Sequence, residues 1–404
     1  SLCGLEAPLA EGQAVGFSPA AADLGALLEA AAAHAGSLTA LDVSCNAAAS
    51  AVALPPFGPA TSGHAAFVSL LESCGPLVSL DLSHTHLRLT QVPSVLAVHG
   101  STLLELRLAG SVVAFQMGPR GDRDLKDLCS SLAACDQLRV LDLGDLALLP
   151  VLRRPVLSLL QRCAPTLRVL RGVLPPAILE SGLSSLFSTG TCREGGARQL
   201  AELGVLLEGS PSSSFVEVLR ANAGSLRSLA LQTRLGDAMG AALVQALQEA
   251  SLLELTLSGC GLGANTARYL EGAVRGCRSS PSGGGAAAAW RLERLALSGN
   301  RLGSDALPLL AALRGQRRLR ELQLRACDLP PGAGGPLGRL VMALPALLAL
   351  DARDNKGLGS AGGRSLLEAA LQEWGRQGLC GRAAGPFALP GRLDLRGCGL
   401  GQAA

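Results

Sequence analysis

A nine-residue phrase, LERLALSGN from Leu292 to Asn300, returns in variants from one end of the chain to the other. Copies begin at Leu38 (LTALDVSCN), Leu77 (LVSLDLSHT), Leu103 (LLELRLAGS), Leu138 (LRVLDLGDL), Leu226 (LRSLALQTR), Leu252 (LLELTLSGC), Leu319 (LRELQLRAC) and Leu347 (LLALDARDN), with a partial one, PGRLDLRGC, from Pro390. Apolar residues at the fourth and sixth places, with polar ones between and beside them, fit a short strand that buries one face. Leu292, Leu295 and Leu297 are therefore predicted to point inward, and Arg294, Ala296 and Ser298 outward. No single unit of this size can bury its apolar face alone, so neighbours must stack.

The residues after each strand set the rest of the unit. Beyond Asn300 the chain reads RLGSDALPLLAALRGQRR, where Leu307, Leu310 and Leu313 recur at helical spacing behind Ser304 or Asp305 as an N-cap. The ninth place carries Asn46, Asn300 and Asn355 in some copies and Cys260, Cys327 and Cys398 in others. Asn there can cap backbone groups inside the turn, and Cys can fill the same buried corner. The intervals from Leu292 to Leu319 and on to Leu347 are about 27 and 28 residues. In these features the chain resembles the leucine-rich repeat proteins of the ribonuclease-inhibitor-like subfamily, strongly from Leu226 to Leu400 and more loosely from Leu38 to Leu146. The resemblance implies an α/β fold, a right-handed leucine-rich repeat solenoid or horseshoe with a parallel inner sheet and outer helices.

The expected organisation is a capping segment over 1–37 and one repeat array over 38–404. Between Leu170 and Leu226 the pattern decays: Gly172 replaces the sixth-place Leu, ARQLAELGVLLEG is a weak strand, and Pro175, Pro176 and the SPSSS run from Ser210 interrupt it. Residues of about 171–225 are read as worn repeats rather than a break. Stretches 278–290 and 374–391, rich in Gly, Ala, Ser and Pro, are read as loop insertions.

Composition excludes several classes. Hydrophobic residues make up 48% of the 404 and aromatics 2%, so the interior must be aliphatic. Mean hydropathy is positive, yet the best apolar stretch, Leu340 to Leu350, contains Pro345 and is far short of the roughly 20 residues that span a bilayer. No membrane partner is expected. A net charge of +3 does not by itself call for a polyanion. The twelve cysteines do not cluster at the array's ends: Cys74, Cys135, Cys163 and Cys277 fall late in helical segments, and Cys260, Cys327 and Cys398 at the ninth place. They read as buried free thiols of a cytoplasmic or nuclear protein.

No catalytic, cofactor or metal site emerges, and the chain is read as a non-enzyme. His84 and His86 lack further ligands and are read as exposed turn residues. Gly283, Gly284 and Gly285 lack the Lys-Ser/Thr of a phosphate loop, and Arg120, Gly121 and Asp122 lie in the wrong compartment for an integrin ligand. The outward residues carry the partner prediction. Asp42, Asp81, Arg107, Asp142 and Arg171 form one row, continued by Ala230, Thr256, Ala296, Gln323, Asp351 and Asp394. A second row adds Arg325, Arg353 and Arg396. Asp in this position is also simply the repeat's common residue, with Arg neighbours satisfying it across rungs. As a site, Asp42, Asp81, Arg107, Asp142, Gln323, Arg325, Asp351, Arg353, Asp394 and Arg396 would meet a protein partner on the concave face, the arginines forming bidentate carboxylate contacts. The basic group Arg314, Arg317, Arg318 and Arg320 has no aromatic neighbours to stack bases, which argues against nucleic acid.

The resemblance implies a scaffold or recognition domain of a larger intracellular protein: the repeat domain of an innate-immune nucleotide-binding receptor, the recruiting part of a ubiquitin ligase, a module of a Tonsoku-type repair scaffold or an axonemal component. The alternative it raises is a GTPase activator of the Ran-activating type, which uses an Arg at a repeat edge. The acidic tail usual in that group is not visible in this sequence.

Overall fold

The computed structural model describes residues 35–42, 70–71, 73–84, 92–109, 127, 130–132, 134–144, 153–163, 165–181, 200–207, 209–276, 290–378 and 392–400. Asn46, His34, His64, His86, Cys277, Arg120 to Asp122 and Gly283 to Gly285 lie outside them, as do residues 1–34 of the expected cap and most of the two expected insertions. The chain divides into two compact units, Ser1–Gln199 and Leu200–Ala404.

In the first unit the strands β1 (Ala40–Asp42), β2 (Ser79–Asp81), β3 (Glu105–Arg107), β4 (Val140–Asp142) and β5 (Val169–Leu174) pair in chain order, all parallel. Helices α1 (Val92–His99) and α2 (Arg153–Cys163) lie in the connections. The fourth-place leucines Leu41, Leu80, Leu106, Leu141 and Leu170 stack rung upon rung, the last four with no exposed surface. Gly172 takes the inward sixth place of β5 because Leu143 fills its space: a Cβ on Gly172 would stand 3.0 Å from the Leu143 Cβ. Pro176 opens a helical turn reaching Ser181, a position where Pro costs nothing because the missing N–H would be unpaired anyway.

The second unit repeats the plan more regularly. Its strands are β6 (Glu202–Leu207), β7 (Ser228–Gln232), β8 (Glu254–Thr256), β9 (Arg294–Ala296), β10 (Glu321–Gln323), β11 (Ala349–Asp351) and β12 (Arg392–Asp394), again parallel and in order. Between them run α3 (Ser213–Asn222), α4 (Gly236–Ala246), α5 (Ala264–Arg275), α6 (Ala306–Leu313), α7 (Gly334–Ala343) and α8 (Gly359–Gly378). Leu292, Leu295 and Leu297 are fully buried, as predicted from their places in the phrase. Each unit is thus a leucine-rich repeat array: strand, turn, helix and return, with leucines between the layers. No helix among the described residues is long and apolar enough to cross a membrane.

Several local expectations fail for identifiable reasons. Neither Ser304 nor Asp305 caps α6: a 3-10 turn, Gly303–Asp305, leads into it, and Asp305 has helical rather than the extended backbone a capping residue needs. The helix buries Ala306, Leu309, Leu310 and Leu313, leaving Leu307 partly exposed. The SPSSS run is a helix start: Ser212 accepts a hydrogen bond from the Ser214 N–H at 3.2 Å to cap α3. The weak strand read in ARQLAELGVLLEG, by contrast, is present as the six-residue β6. Trp290, at the end of the first expected insertion, is a core residue rather than a surface one: it is 1% exposed and its Nε1–H donates to the Leu247 carbonyl at 3.0 Å. Helix α8 continues to Gly378, so the stretch from Trp374 begins as helix.

The ninth place locks rung to rung. Asn300 Nδ2 donates to the Leu257 and Leu297 carbonyls, both at 2.7 Å, while its Oδ1 accepts the Leu262 N–H at 3.0 Å. Asn355 Nδ2 donates to the Leu324 and Ala352 carbonyls at 2.8 Å, and its Oδ1 accepts the N–H groups of Cys327 and Leu329. In the other copies a thiol donates to the same sixth-place carbonyl of the preceding repeat: Cys260 to Leu231 at 3.4 Å, Cys327 to Leu297 at 3.3 Å, Cys398 to Ala352 at 2.9 Å. All six described cysteines are free and buried, and burial pushes the thiols of Cys135 and Cys327 up to about 12. Replacing Asn355 with Ala strips partners from buried N–H and C=O groups, each worth about 1–3 kcal/mol when orphaned. Urea unfolding is expected to show Asn355→Ala markedly destabilised and Asn355→Cys, which restores one donor, less so; equal losses would contradict this role.

Candidate functional site on the open sheet face

The pleat that sends leucines inward sends the third- and fifth-place residues of the nine-residue phrase to the other side. In the first unit the register sets Asp42, Asp81, Arg107, Asp142 and Arg171 side by side, as the sequence predicted. In the second it sets Gly204, Ala230, Thr256, Ala296, Gln323, Asp351 and Asp394 in one row. The predicted site residues therefore form two groups, each within its own unit. Ala296 is 3% exposed although its place faces outward, because its single methyl sits between the larger Thr256 and Gln323.

The aspartates of these rows have local work. Their Oδ1 accepts the backbone N–H two residues on: Ser83 for Asp81 (2.9 Å), Gly144 for Asp142 (2.8 Å), Arg353 for Asp351 (3.1 Å) and Arg396 for Asp394 (3.2 Å). That bond turns the chain out of the strand, the reason Asp recurs in LDL-type copies. The arginines then satisfy the remaining carboxylate charge. Arg353 forks onto Asp351 at 2.9 and 2.7 Å and approaches Asp394 at 3.6 Å. Arg396 forks onto Asp394 at 2.9 and 2.7 Å. Arg325 meets Asp354 at 2.6 Å, Arg107 meets Glu105 at 3.0 Å and Asp81 at 3.9 Å, and Arg171 meets Asp142 at 3.7 Å.

The electrostatics reflect this geometry. The Arg396 side chain, seconded by its N–H and by Arg353, pulls the Asp394 carboxyl down to about 2. Partial burial works against ionising Asp351, but the hydrogen bonds of Arg353 outweigh it and hold that carboxyl below its ordinary value. Arg325 and Arg396 keep much of their surface in solvent, while Arg353 is half-buried in its ladder.

A third-place row was not singled out in the sequence. Register aligns Glu202, Ser228, Glu254, Arg294 and Glu321. Arg294 bridges Glu254 at 3.5 Å and Glu321 at 2.9 Å. The alternation that marked the fifth place also marks this one; only the eye-catching Asp of the common phrase drew attention away from it. His84 is exposed in the turn after β2, as expected. Of the basic group, Arg314 and Arg320 lie 4.0 Å from Glu373 and Glu293, whereas the side chains of Arg317 and Arg318 make no ion pair among the described residues. No cluster of three metal-ligating side chains occurs among the described residues.

The stacked strand–helix units define the fold class, that of leucine-rich repeats. No protein-family model matches the chain, and no curated protein matches it. Among solved structures it is similar to one described as "Crystal structure of Rad7 and Elc1 complex in yeast", with 15% identity, 87% of this chain and 86% of that chain covered, and a TM-score of 0.35. A likeness this distant bears on no residue of the face.

The depressed carboxylates set a pH dependence. Their folded values lie below the unfolded value near 3.9, so their stabilisation is complete above that pH and disappears as pH falls through the folded value, about 2 for Asp394. Wild type is expected to exceed Arg353→Met/Arg396→Met in urea midpoint at pH 6, with the gap closing on acidification. A gap unchanged at pH 2 would show that the arginines act by packing alone.

Proposed function

We propose that this chain is a non-enzymatic protein-recognition module whose partner lies on the open face of the sheet. One observation carries the reading. A parallel sheet is ordinarily covered on both faces, yet among the described residues the fourth-place leucines are buried while the third- and fifth-place residues on either side of them in five strands keep solvent exposure. That face presents a low-relief stretch at Ala230, Thr256 and Ala296 and a charged end at Gln323, Arg325, Asp351, Arg353, Asp394 and Arg396 in the second unit, and Asp42, Asp81, Arg107 and Asp142 in the first.

The pairing of most arginines at home refines what the face can do. Arg353 is committed to two carboxylates, so a partner would reach Arg325 and Arg396 first, the two with the most solvent exposure. Either can hold its aspartate with one edge of the guanidinium and a partner carboxylate with another. An extended partner segment lying over the Ala230 to Ala296 stretch and anchored at Arg325 fits this relief. The strand–helix alternation and the 27- to 28-residue spacing of the last full repeats support the ribonuclease-inhibitor-like subfamily, and the buried free thiols support an intracellular scaffold in cytoplasm or nucleus. A GTPase-activating role, the alternative, would appear as accelerated GTP hydrolysis by a small GTPase.

Affinity capture with the full chain, followed by measured binding of the captured protein, tests the face. Arg325→Ala/Arg396→Ala and Thr256→Arg are each expected to weaken binding about tenfold or more, while Leu371→Ala on the exposed side of α8 leaves it unchanged. Undiminished binding by both face variants would remove the proposal.

A further inference from the structure

Two groups among the arginines of the second unit differ in their partners. Those on the sheet face, Arg294, Arg325, Arg353 and Arg396, each have a carboxylate within 4 Å. Four others, near the strand starts, do not. Arg227, just before β7, Arg291, before β9, and Arg317 and Arg318, before β10, line one cavity of about 760 Å³ together with Trp290 and Gln316. No acidic residue lines it among the described residues. The side chains of Arg291, Arg317 and Arg318 have no ion-pair or hydrogen-bond partner among the described residues, and Arg227 has only a 3.4 Å contact with the Ser251 carbonyl. Four like charges around one hollow repel one another, and an anion seated among them would relieve that repulsion.

The backbone beneath these arginines is fixed. Trp290, next to Arg291, is buried and tied to the Leu247 carbonyl. Gln316, next to Arg317 and Arg318, is 7% exposed; it accepts the Leu292 N–H and donates to the Val274 carbonyl, both at 3.1 Å. Both polar groups are spent on the fold. Their contribution is to hold the chain that carries the guanidinium groups, so that little backbone ordering remains to oppose binding.

We propose that this cavity binds a compact anion bearing two or more phosphate groups. The volume lies in the usual range for small-ligand sites, about 300–1,000 Å³. The guanidinium fork matches phosphate oxygens in pairs, and a single carboxylate would leave most of the positive charge unopposed, whereas each phosphate group brings about −1.5 to −2. Trp290 is buried and offers no face for stacking a base, which sets nucleic acid aside. The site lies at the strand-start edge rather than on the sheet face, so it stands independently of the protein-recognition reading.

Isothermal titration of the full chain with inorganic tripolyphosphate, at constant ionic strength, tests it. Wild type is expected to bind one equivalent saturably, and Arg317→Ala/Arg318→Ala about tenfold or more weakly. Arg325→Ala, whose guanidinium is paired on the face, should remain within about twofold, because screening confines the effect of distant charge. If the alanine pair fails to fold, Arg317→Lys/Arg318→Lys keeps the charge and removes the fork, and weaker binding is again expected. Absence of saturable binding, equal weakening by Arg325→Ala, or citrate binding as tightly as tripolyphosphate would each overturn the proposal.

Discussion

Where a strand of the second unit ends, its sixth-place carbonyl turns away from the sheet and into the packed interior, out of reach of water. An acceptor buried there needs a donor, and the donor comes from the next repeat: Asn300 for Leu257, Cys327 for Leu297, Asn355 for Leu324 and Cys398 for Ala352. The leucines supply most of the driving force, about 1.5–3 kcal/mol for each side chain fully buried, but apolar burial has no direction. The ninth-place side chain is directional, and it fixes each rung against its neighbour. Once rungs are in register, the outward rows and the strand-start edge are geometric consequences.

Similar clamps operate at the other end of the strands. Thr102, Thr166 and Ser225 donate their hydroxyls to the carbonyls of Leu77, Leu138 and Leu200, each the first-place leucine one repeat back. His99 and Gln316 bridge a helix-end carbonyl and a first-place N–H of the preceding repeat, His99 through Leu71 and Leu77, Gln316 through Val274 and Leu292. Asp237 reaches from α4 to accept the N–H groups of Gly263, Asn265 and Thr266 at the start of α5, where Gly263 has no side chain to cap with. Those bonds outweigh partial burial and hold its carboxyl below the ordinary value. Polar side chains in this array therefore mostly bond one repeat backwards, and the groups they leave unbonded are informative.

The sequence made the strands, the inward leucines and the outward fifth-place row legible because a period of two written over three or four residues leaves little choice of face. It made the ninth-place corner of the second unit legible because Cys260, Asn300, Cys327, Asn355 and Cys398 alternate there. Other features were hidden because they depend on which repeats are neighbours. Arg227 and Arg291 are remote in sequence and meet at one cavity only through stacking. The run of arginines from Arg314 to Arg320 reads as one patch, yet two of its members turn to Glu373 and Glu293 while Arg317 and Arg318 join that cavity. Trp290 was obscured by the Gly- and Ala-rich residues before it, although a lone tryptophan two places ahead of a first-place Leu could have marked a core position.

The division of charge comes from the same stacking. Face arginines stand beside a carboxylate of their own or a neighbouring repeat and are paired in place; Arg227, Arg291, Arg317 and Arg318 belong to the returns, and no acidic residue among the described ones lines the cavity they share. Everything rests on the ninth-place side chains holding the turns at the strand ends. Amide hydrogen exchange at Leu262, Cys327 and Leu329, whose N–H groups are received by Asn300 and Asn355, tests this most directly. The account predicts that these turn amides exchange as slowly as Leu322 and Leu350 in the neighbouring strands. Exchange at the rate of open loops, with the strands still protected, would contradict it.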